Sequence, residues 1–498
     1  MTVKDWLEGL EYTLLQGSLD TEVQEVVYDS RKAAPGTVFI CMKGTRVDSH
    51  KFIPQVLEAG AGVLVVEEAV EAPEGVTVIQ VANGREALAV LSASRFGNPS
   101  RKLTMIGVTG TKGKTTTTHM IKAILETAGK KTGMIGTNGV YIGADHYPTV
   151  NTTPESYDLH RYFAQMVEAG CECCVMEVSS QAFKMFRVAG IVFDYSIFTN
   201  ISTDHIGPDE HADFAEYLHY KKQIFHQSRF ALVNLDDEHA EEITKDIPCK
   251  WVGFGLGTGI GYRAEQIHYV SEPDFVGVEF DMKLEEASGE AGQEIPVRIS
   301  IPGRFNVHNA LSAAAVCLNV GVAPEKLQHA LERVKIDGRM EIVYTSEKCC
   351  VIVDFAHNAV SMESLLTTLR EYHPKRLVCV FGCGGNRSKE RRYSMGESAG
   401  RLADLSIITA DNSRYEKVED IIADIRGSIE KTGGAFIEIP DRREAIEYSI
   451  RHAEKGDMIA IIGKGHEDYQ EIEGVRYPFL DRAVVQETVE KLKRLQEL

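Results

Sequence analysis

The segment Gly107-Val-Thr-Gly110-Thr-Lys112-Gly113-Lys114-Thr115-Thr116 constrains this chain more than any other. The apolar stretch TMIGVTG reads as a buried strand, and His119–Ala128 continues as a helix after a glycine-rich turn. A strand that feeds a helix through such a turn is the building unit of a parallel α/β sheet. Gly110 and Gly113 let the backbone approach phosphate oxygens, and the helix start offers free N–H groups and the positive end of its dipole. Lys114 can reach the β and γ phosphates of a nucleotide, and the Thr115 hydroxyl can hold Mg²⁺. Thr111, Lys112 and Thr116 complete the loop. The long form of the motif has Gly where Val108 stands, so this is a shortened G-x-x-G-K-T loop. An ordinary glycine-rich turn is the alternative, and the strand before, the helix after and the Lys-Thr pair argue against it.

At 498 residues the chain is too long for one core and suits three domains. Residues 1–100 alternate short apolar runs with turns: strands at Val38–Gly44 and Gly62–Glu68 flank a helix at Phe52–Ala59, and the breakers FGNPSR close the segment. Residues 101–336 continue from the loop with strands at Cys174–Val178, Asp194–Asn200 and Phe230–Leu235, and the polar stretch 257–296 reads as a small β excursion. Residues 337–498 repeat the alternation. Strands are expected at Cys350–Phe355, Arg376–Phe381, Leu405–Thr409 and Met458–Ile462, with helices at Ser361–Arg370, Val418–Lys431 and Arg443–His452. The fold class is α/β in three domains: a small N-terminal α/β domain, a central phosphate-loop domain with a parallel sheet, and a C-terminal Rossmann-like domain.

A formal net charge of −19 argues against nonspecific nucleic-acid binding, which needs a basic face. It does not exclude anionic small molecules held by a local cluster of Lys and Arg. No apolar run is long enough to span a bilayer, and MTVKDWLEGLEY lacks the apolar core of a signal peptide, so a cytoplasmic protein is expected. Ten cysteines in a chain of this length make no disulfide scaffold. Cys171, Cys173, Cys174, the Cys349–Cys350 pair and Cys379/Cys383 sit in or beside apolar runs, which favours core packing over metal binding.

Three charged groups follow consecutive strands of the central domain. Glu177 ends a strand in MEVSS, Asp204-His205 follows SIFTNIS, and Lys221 sits on a helix in YLHYKKQIF. Singly each has a bland reading, as a capping acid, a loop residue and a solvated lysine. Together they lie where open α/β sheets bind ligands, which suggests convergence near a metal held by the loop.

The ordered motifs GVTGTKGKTT, NTTPES, MEVSSQA, TNISTDH, PGRFNVHNA, DFAHNA, FGCGGNR, DNSR and GKGHEDYQ, with YDSRK near the start, resemble those of the Mur ligases across nearly the whole chain. The resemblance implies an ATP- and Mg²⁺-dependent ligase. Such an enzyme phosphorylates the D-Glu carboxylate of UDP-MurNAc-L-Ala-D-Glu and couples the acyl phosphate to the amine of a diamino acid. It implies that Ser30 contacts the uridine part, and that Asn151, Thr152, Thr153, Ser179 and Arg187 contact the rest of the UDP-substrate. Glu177 and His205 match magnesium ligands. Lys221 matches a lysine that the family carbamylates to N6-carboxylysine, an anion able to help hold a second Mg²⁺. Asn306 and Asn309 match adenine contacts, and Arg339 and Asp354 match contacts to the ADP phosphates and ribose. Arg391, Asp411, Asn412, Arg414, Gly463 and Glu467 match the amino-acid site. The resemblance also implies peptidoglycan precursor synthesis by a cytoplasmic monomer.

Departures keep alternatives open. Met185 replaces a frequent Gln near Arg187, DFAHNAVSMESL replaces DYAHTPDSLE, and DNSR replaces the DNPR usual for meso-diaminopimelate enzymes. Arg414 with Glu467 favours a diamino acid bearing a second carboxylate, because lysine would leave Arg414 unpaired. The bland alternative is that Arg414 pairs with Asp411 or Glu416. L-Lysine as the added residue, a folylpolyglutamate-synthetase-like ligase, a kinase or GTPase and a non-catalytic binding paralogue are the competing functions. The last would be expected to lose Lys114, Glu177, His205 or Lys221, all of which are present.

Overall fold

The computed structural model describes residues 1–44, 47–203, 206–207, 210–285, 288 and 292–496. They form two compact units. The first comprises Met1–Arg263, Leu284–Gln293 and Leu311–Leu327, and the second Ala264–Lys283, Glu294–Ala310 and Gln328–Leu498.

The first unit holds a five-stranded sheet in the order Tyr12–Gln16, Thr77–Val81, Val63–Val66, Thr37–Ile40, Glu25–Val27, antiparallel only at Tyr12–Gln16. The expected strand Val38–Gly44 is shorter because the Ser49 hydroxyl takes over the backbone of Met42. It accepts from the Met42 N–H at 2.6 Å and donates to its carbonyl at 3.0 Å, so the chain turns instead of continuing the ladder.

Beside it runs a parallel array ordered Lys250–Gly255, Ser228–Asn234, Phe193–Phe198, Thr104–Thr109, Cys173–Glu177, Thr132–Gly136. Strand Thr104–Thr109 is central, and its side chains are buried on both faces, which is why it reads as a continuous apolar run. The helix after the loop starts at Lys114 and ends at Thr127, several residues earlier than the apolar periodicity marks it. The run Thr115–Thr118 hides its start, since β-branched polar residues carry no apolar stripe.

In the second unit the polar stretch after Gly257 forms long strands rather than a small excursion. Phe275–Leu284 and Glu294–Ile299 pair antiparallel. The alternating Val276, Val278, Phe280, Met282 and Leu284 are buried while polar residues occupy intervening positions. A six-stranded sheet follows in the order Glu341–Thr345, Cys349–Asp354, Asp457–Ile462, Arg376–Phe381, Leu405–Ile408, Phe436–Glu438, parallel except at its first strand. The expected helix at Ser361 begins at Ala359, where Asn358 and Ser361 form a reciprocal cap. A hairpin, Tyr469–Ile472 with Val475–Pro478, and a last helix, Asp481–Arg494, were not marked by the sequence pattern. The sheets of five, eleven and six strands, with the helices between their strands, agree with the expected α/β class. Among the described residues no helix is long and apolar enough to cross a membrane.

Candidate active site

In the first unit, the register Glu177 with Val108 and Phe198 with Thr109 brings the ends of two neighbouring strands beside the glycine loop. Gly110 has φ +141°, and a Cβ there would collide with the Thr199 hydroxyl, so only glycine fits. The loop is pinned from the next strand: Asn200 accepts from the Lys112 N–H at 2.9 Å and donates to the Lys112 carbonyl at 3.0 Å. The Thr111 hydroxyl lies 3.2 Å from the Tyr217 hydroxyl.

Two ammonium groups meet at one carbonyl. Lys114 donates to the Gly110 oxygen at 2.8 Å and to the Thr111 oxygen at 3.0 Å, and Lys221 donates to the Gly110 oxygen at 2.7 Å. Lys221 is buried on helix Phe214–His226, with its charge over the Tyr217 ring, which removes the solvated-lysine reading. Glu177 is buried too. It accepts from the Thr115 hydroxyl at 3.0 Å and from the Thr137 N–H at 2.9 Å. A hydroxyl and a carboxylate this close are hard oxygen donors of the kind Mg²⁺ prefers, so the residues present fit that ion. His205 lies outside the described residues.

Thr153 joins this cluster to its surroundings. Its hydroxyl donates to the Glu177 carbonyl at 3.0 Å and accepts from the Ser179 N–H at 3.1 Å. Thr152 contacts Thr137 through their hydroxyls at 3.1 Å, and Asn151 is exposed. Arg187 donates to the Thr153 carbonyl at 3.1 Å and to the Glu155 carboxylate, which Arg85 also approaches at 3.4 Å. Ser30 sits apart from these groups in sequence, on a short 3-10 turn capped by Asp29. Thr137, Asn200, Tyr217 and Glu155 were not singled out by sequence. Asn200 and Glu155 lie inside quoted motifs and could have been, whereas Thr137 carries no local signal.

In the second unit, Asn306 donates to the Pro302 carbonyl at 2.7 Å and accepts from Asn309 at 2.9 Å, both buried in the first turns of a helix. Arg339 stacks over Phe355 and lines a cavity of about 300 Å³ with Ile301, Val334 and Ile336. Asp354 accepts from the N–H groups of Met340 and Ala356, each at 2.7 Å, and burial nevertheless pushes its carboxyl above the usual range.

Of the expected amino-acid residues, Asp411, Asn412, Arg414, Gly463 and Glu467 lie together just past the strands Leu405–Ile408 and Asp457–Ile462. Asn412 donates to Glu467 at 3.0 Å and accepts from Lys464 at 3.1 Å and from the Glu471 N–H at 2.9 Å. Fully buried Lys464 also donates to Glu467 at 3.0 Å. Gly463 has φ +113°, and a Cβ would stand 2.6 Å from the Asp411 carboxylate. Arg414 is left-handed at φ +51°. Its guanidinium donates to the Gly385 carbonyl at 2.7 Å and meets Glu471 at 3.4 Å. Neither Asp411 nor Glu416 is its partner: Glu416 binds the buried Arg392 at 2.7 Å. Arg391, one residue earlier on the same helix, is half-buried. Lys464 and Glu471 both lie in or beside the GKGHEDYQ motif, yet spacing alone did not mark them.

Three family profiles match the chain in order: Mur ligase family, catalytic domain, over residues 22–96; Mur ligase middle domain over 108–317; and Mur ligase, glutamate ligase domain, over 338–465. The UDP-N-acetylmuramoyl-L-alanyl-D-glutamate--2,6-diaminopimelate ligase of Clostridium perfringens is 40% identical over 98% of this chain and 100% of its own length. The chain belongs to the Mur ligase family. A solved structure of a ligase of that same description superposes with a TM-score of 0.77 at 26% identity, covering 99% of both chains. The MurF ligase of Thermotoga maritima, solved with ADP, shares the fold at a TM-score of 0.57 and 19% identity, over 95% of this chain and 99% of its own. This Mur ligase is accordingly an enzyme, an ATP-dependent ligase. The kinase, GTPase and non-catalytic readings fall away.

Proposed function

We propose that this Mur ligase adds meso-diaminopimelate to the D-Glu carboxylate of UDP-MurNAc-L-Ala-D-Glu in the cytoplasm, as a monomer, supplying peptidoglycan precursor for cell-wall growth, cell shape and division. The observation that carries the reading is full-length similarity to a 2,6-diaminopimelate ligase in a chain that clusters Arg414, Asn412 and Glu467 at one site. The proposed domains are 1–100 for the UDP-substrate, 101–336 for ATP and 337–498 for ADP and the amino acid.

The substrate carboxylate attacks the γ-phosphorus of ATP and ADP departs, leaving an acyl phosphate. The diamino acid's neutral amine then attacks the acyl carbon, phosphate leaves, and the amine's proton passes to solvent. A carboxylate is a poor electrophile, and the phosphoryl group supplies the leaving group it lacks. Lys114 and the loop N–H groups stabilise the transferring phosphoryl oxygens. Thr115, Glu177, His205 and carbamylated Lys221 would hold Mg²⁺, which neutralises phosphate charge. A carbamate forms when neutral Lys221 Nζ adds to CO₂ with loss of a proton. Its remaining N–H can keep the bond to the Gly110 carbonyl. Ser30, Asn151, Thr152, Thr153, Ser179 and Arg187 bind the UDP-substrate in this reading, Asn306, Asn309, Arg339 and Asp354 the nucleotide, and Arg391, Asp411, Asn412, Arg414, Gly463 and Glu467 the amino acid.

The test is amino-acid-dependent phosphate release with UDP-MurNAc-L-Ala-D-Glu, ATP and Mg²⁺ across meso-diaminopimelate, L-lysine and L-ornithine. Highest kcat/KM with meso-diaminopimelate supports the proposal. A preference for lysine, or no release with any diamino acid, overturns it.

A further inference from the structure

Arg414 has a carboxylate partner within the chain. Glu471 reaches it across 3.4 Å, and both side chains are about one-fifth exposed. The two residues are also locked through the backbone: the Arg414 N–H donates to the Glu471 carbonyl at 3.0 Å, and the Glu473 N–H donates to the Arg414 carbonyl at 2.6 Å. The Glu471 N–H is fixed by Asn412 at 2.9 Å. The main chain of the hairpin is therefore clamped to the loop 412–414, while among the described residues the Glu471 carboxylate is held by one long contact.

That carboxylate has a second cation within its own hairpin. Glu471 stands opposite Arg476 in the antiparallel register, where side chains share a face, and Arg476 lies against the Tyr469 ring at 4.3 Å. A swing away from Arg414 would not strand the charge of Glu471. Arg414 meanwhile keeps its bond to the Gly385 carbonyl at 2.7 Å, so its guanidinium stays aimed while its partner changes.

We infer that Glu471 is a specificity-setting counter-acid: it neutralises Arg414 until the distal carboxylate of the incoming diamino acid displaces it. The inference rests on the proposed reaction and deepens its amino-acid site. It has a physical consequence opposite to a simple Arg-to-carboxylate pocket. With Glu471 in place, an amino acid lacking a distal carboxylate does not leave Arg414 unpaired, so discrimination against lysine is weakened. An amino acid that carries the carboxylate must compete with an internal one, which raises its KM.

The experiment compares wild type, Glu471→Gln and Glu471→Ala for KM and kcat with meso-diaminopimelate and with L-lysine. Removing the counter-acid should lower KM for meso-diaminopimelate about threefold and lower kcat/KM for lysine by a similar factor, the range of a partly exposed ion pair. The ratio of the two specificity constants should rise in both variants, and the diaminopimelate effect should sit in KM. A purely structural role for Glu471 would lower kcat/KM for both amino acids together and overturn the inference. A fall in the ratio would also overturn it, by making Glu471 an acceptor for the distal ammonium. If wild type itself uses neither amino acid, the failure belongs to the proposed reaction and not to Glu471.

Discussion

Lys114 and Lys221 converge on the Gly110 carbonyl, and their chemistry separates them. Lys114 opens the helix that follows the loop, at the positive end of its dipole, where a fixed cation can meet developing phosphoryl charge. Lys114→Ala should reduce kcat by about a hundredfold or more with the circular dichroism spectrum unchanged. Near-normal turnover in that variant would remove the loop from the chemistry. Lys221 is buried, and a solvated role is closed to it. If it works as a carbamate, Lys221→Ala should be nearly inactive and partly rescued by acetate or propionate, which replace the lost anion. Rescue by short alkylamines instead of carboxylates would identify the cation itself as the working form. Arg414 shows how far residue chemistry could be read from sequence alone. Its planar fork of donors pointed to a carboxylate, and the structure gives it one, Glu471, fifty-seven positions on. Nothing in the spacing of DNSR could name that partner, because the contact depends on how a hairpin folds back.

At the scale of elements, strands were legible where both faces are buried. Cys349–Asp354 and Arg376–Phe381 show as unbroken apolar runs, and the structure has strands within a residue or so of them. Helix starts were less legible, since caps such as Asn358 and polar first turns carry no periodic signal. The hairpin Tyr469–Ile472 with Val475–Pro478 was hidden because its exposed Val475 and Tyr477 give no buried face to detect. A fully buried ion pair was hidden as well. Arg442, at the start of helix Arg442–Arg451, donates to Asp481 at 2.7 and 2.8 Å and to the carbonyls of Ala410 and Ile462 at 3.2 and 3.0 Å. Those carbonyls immediately precede Asp411 and Gly463, so one side chain ties two helices to both segments of the proposed amino-acid site. Asp481→Asn leaves Arg442 buried without its counter-charge and should cost about 3–5 kcal/mol, seen as a lower urea midpoint. The double replacement Arg442→Met with Asp481→Leu should cost less than Asp481→Asn alone, because it removes both charges. If the single variant is as stable as wild type, the pair does not hold the strand ends.

Over the whole molecule, seventy-three acidic side chains against fifty-four basic ones give a strongly anionic protein built to handle anions. The cations that matter are therefore placed by the fold and not by composition: Lys114 and Lys221 at the loop, and Lys464 and Arg414 at the proposed amino-acid site. The same global packing governs the ten thiols, all of them free and all but Cys249 buried. Burial pushes Cys41, Cys350 and Cys383 up to about 12 and Cys349 to about 11. A thiol with a pKa near 12 is thiolate in only about one part in ten thousand at pH 8, and only the thiolate attacks disulfide reagents. Cys249, half-buried, is also shifted upward by burial, yet it alone is sterically open. Native protein treated with an aromatic disulfide reagent at pH 8 should therefore release about one equivalent of thiolate quickly, and ten after denaturation. The fast equivalent should vanish in Cys249→Ser. Three or more fast equivalents from native protein would mean that strands such as Cys173–Glu177 or Cys349–Asp354 open far more readily than their position within the sheets allows.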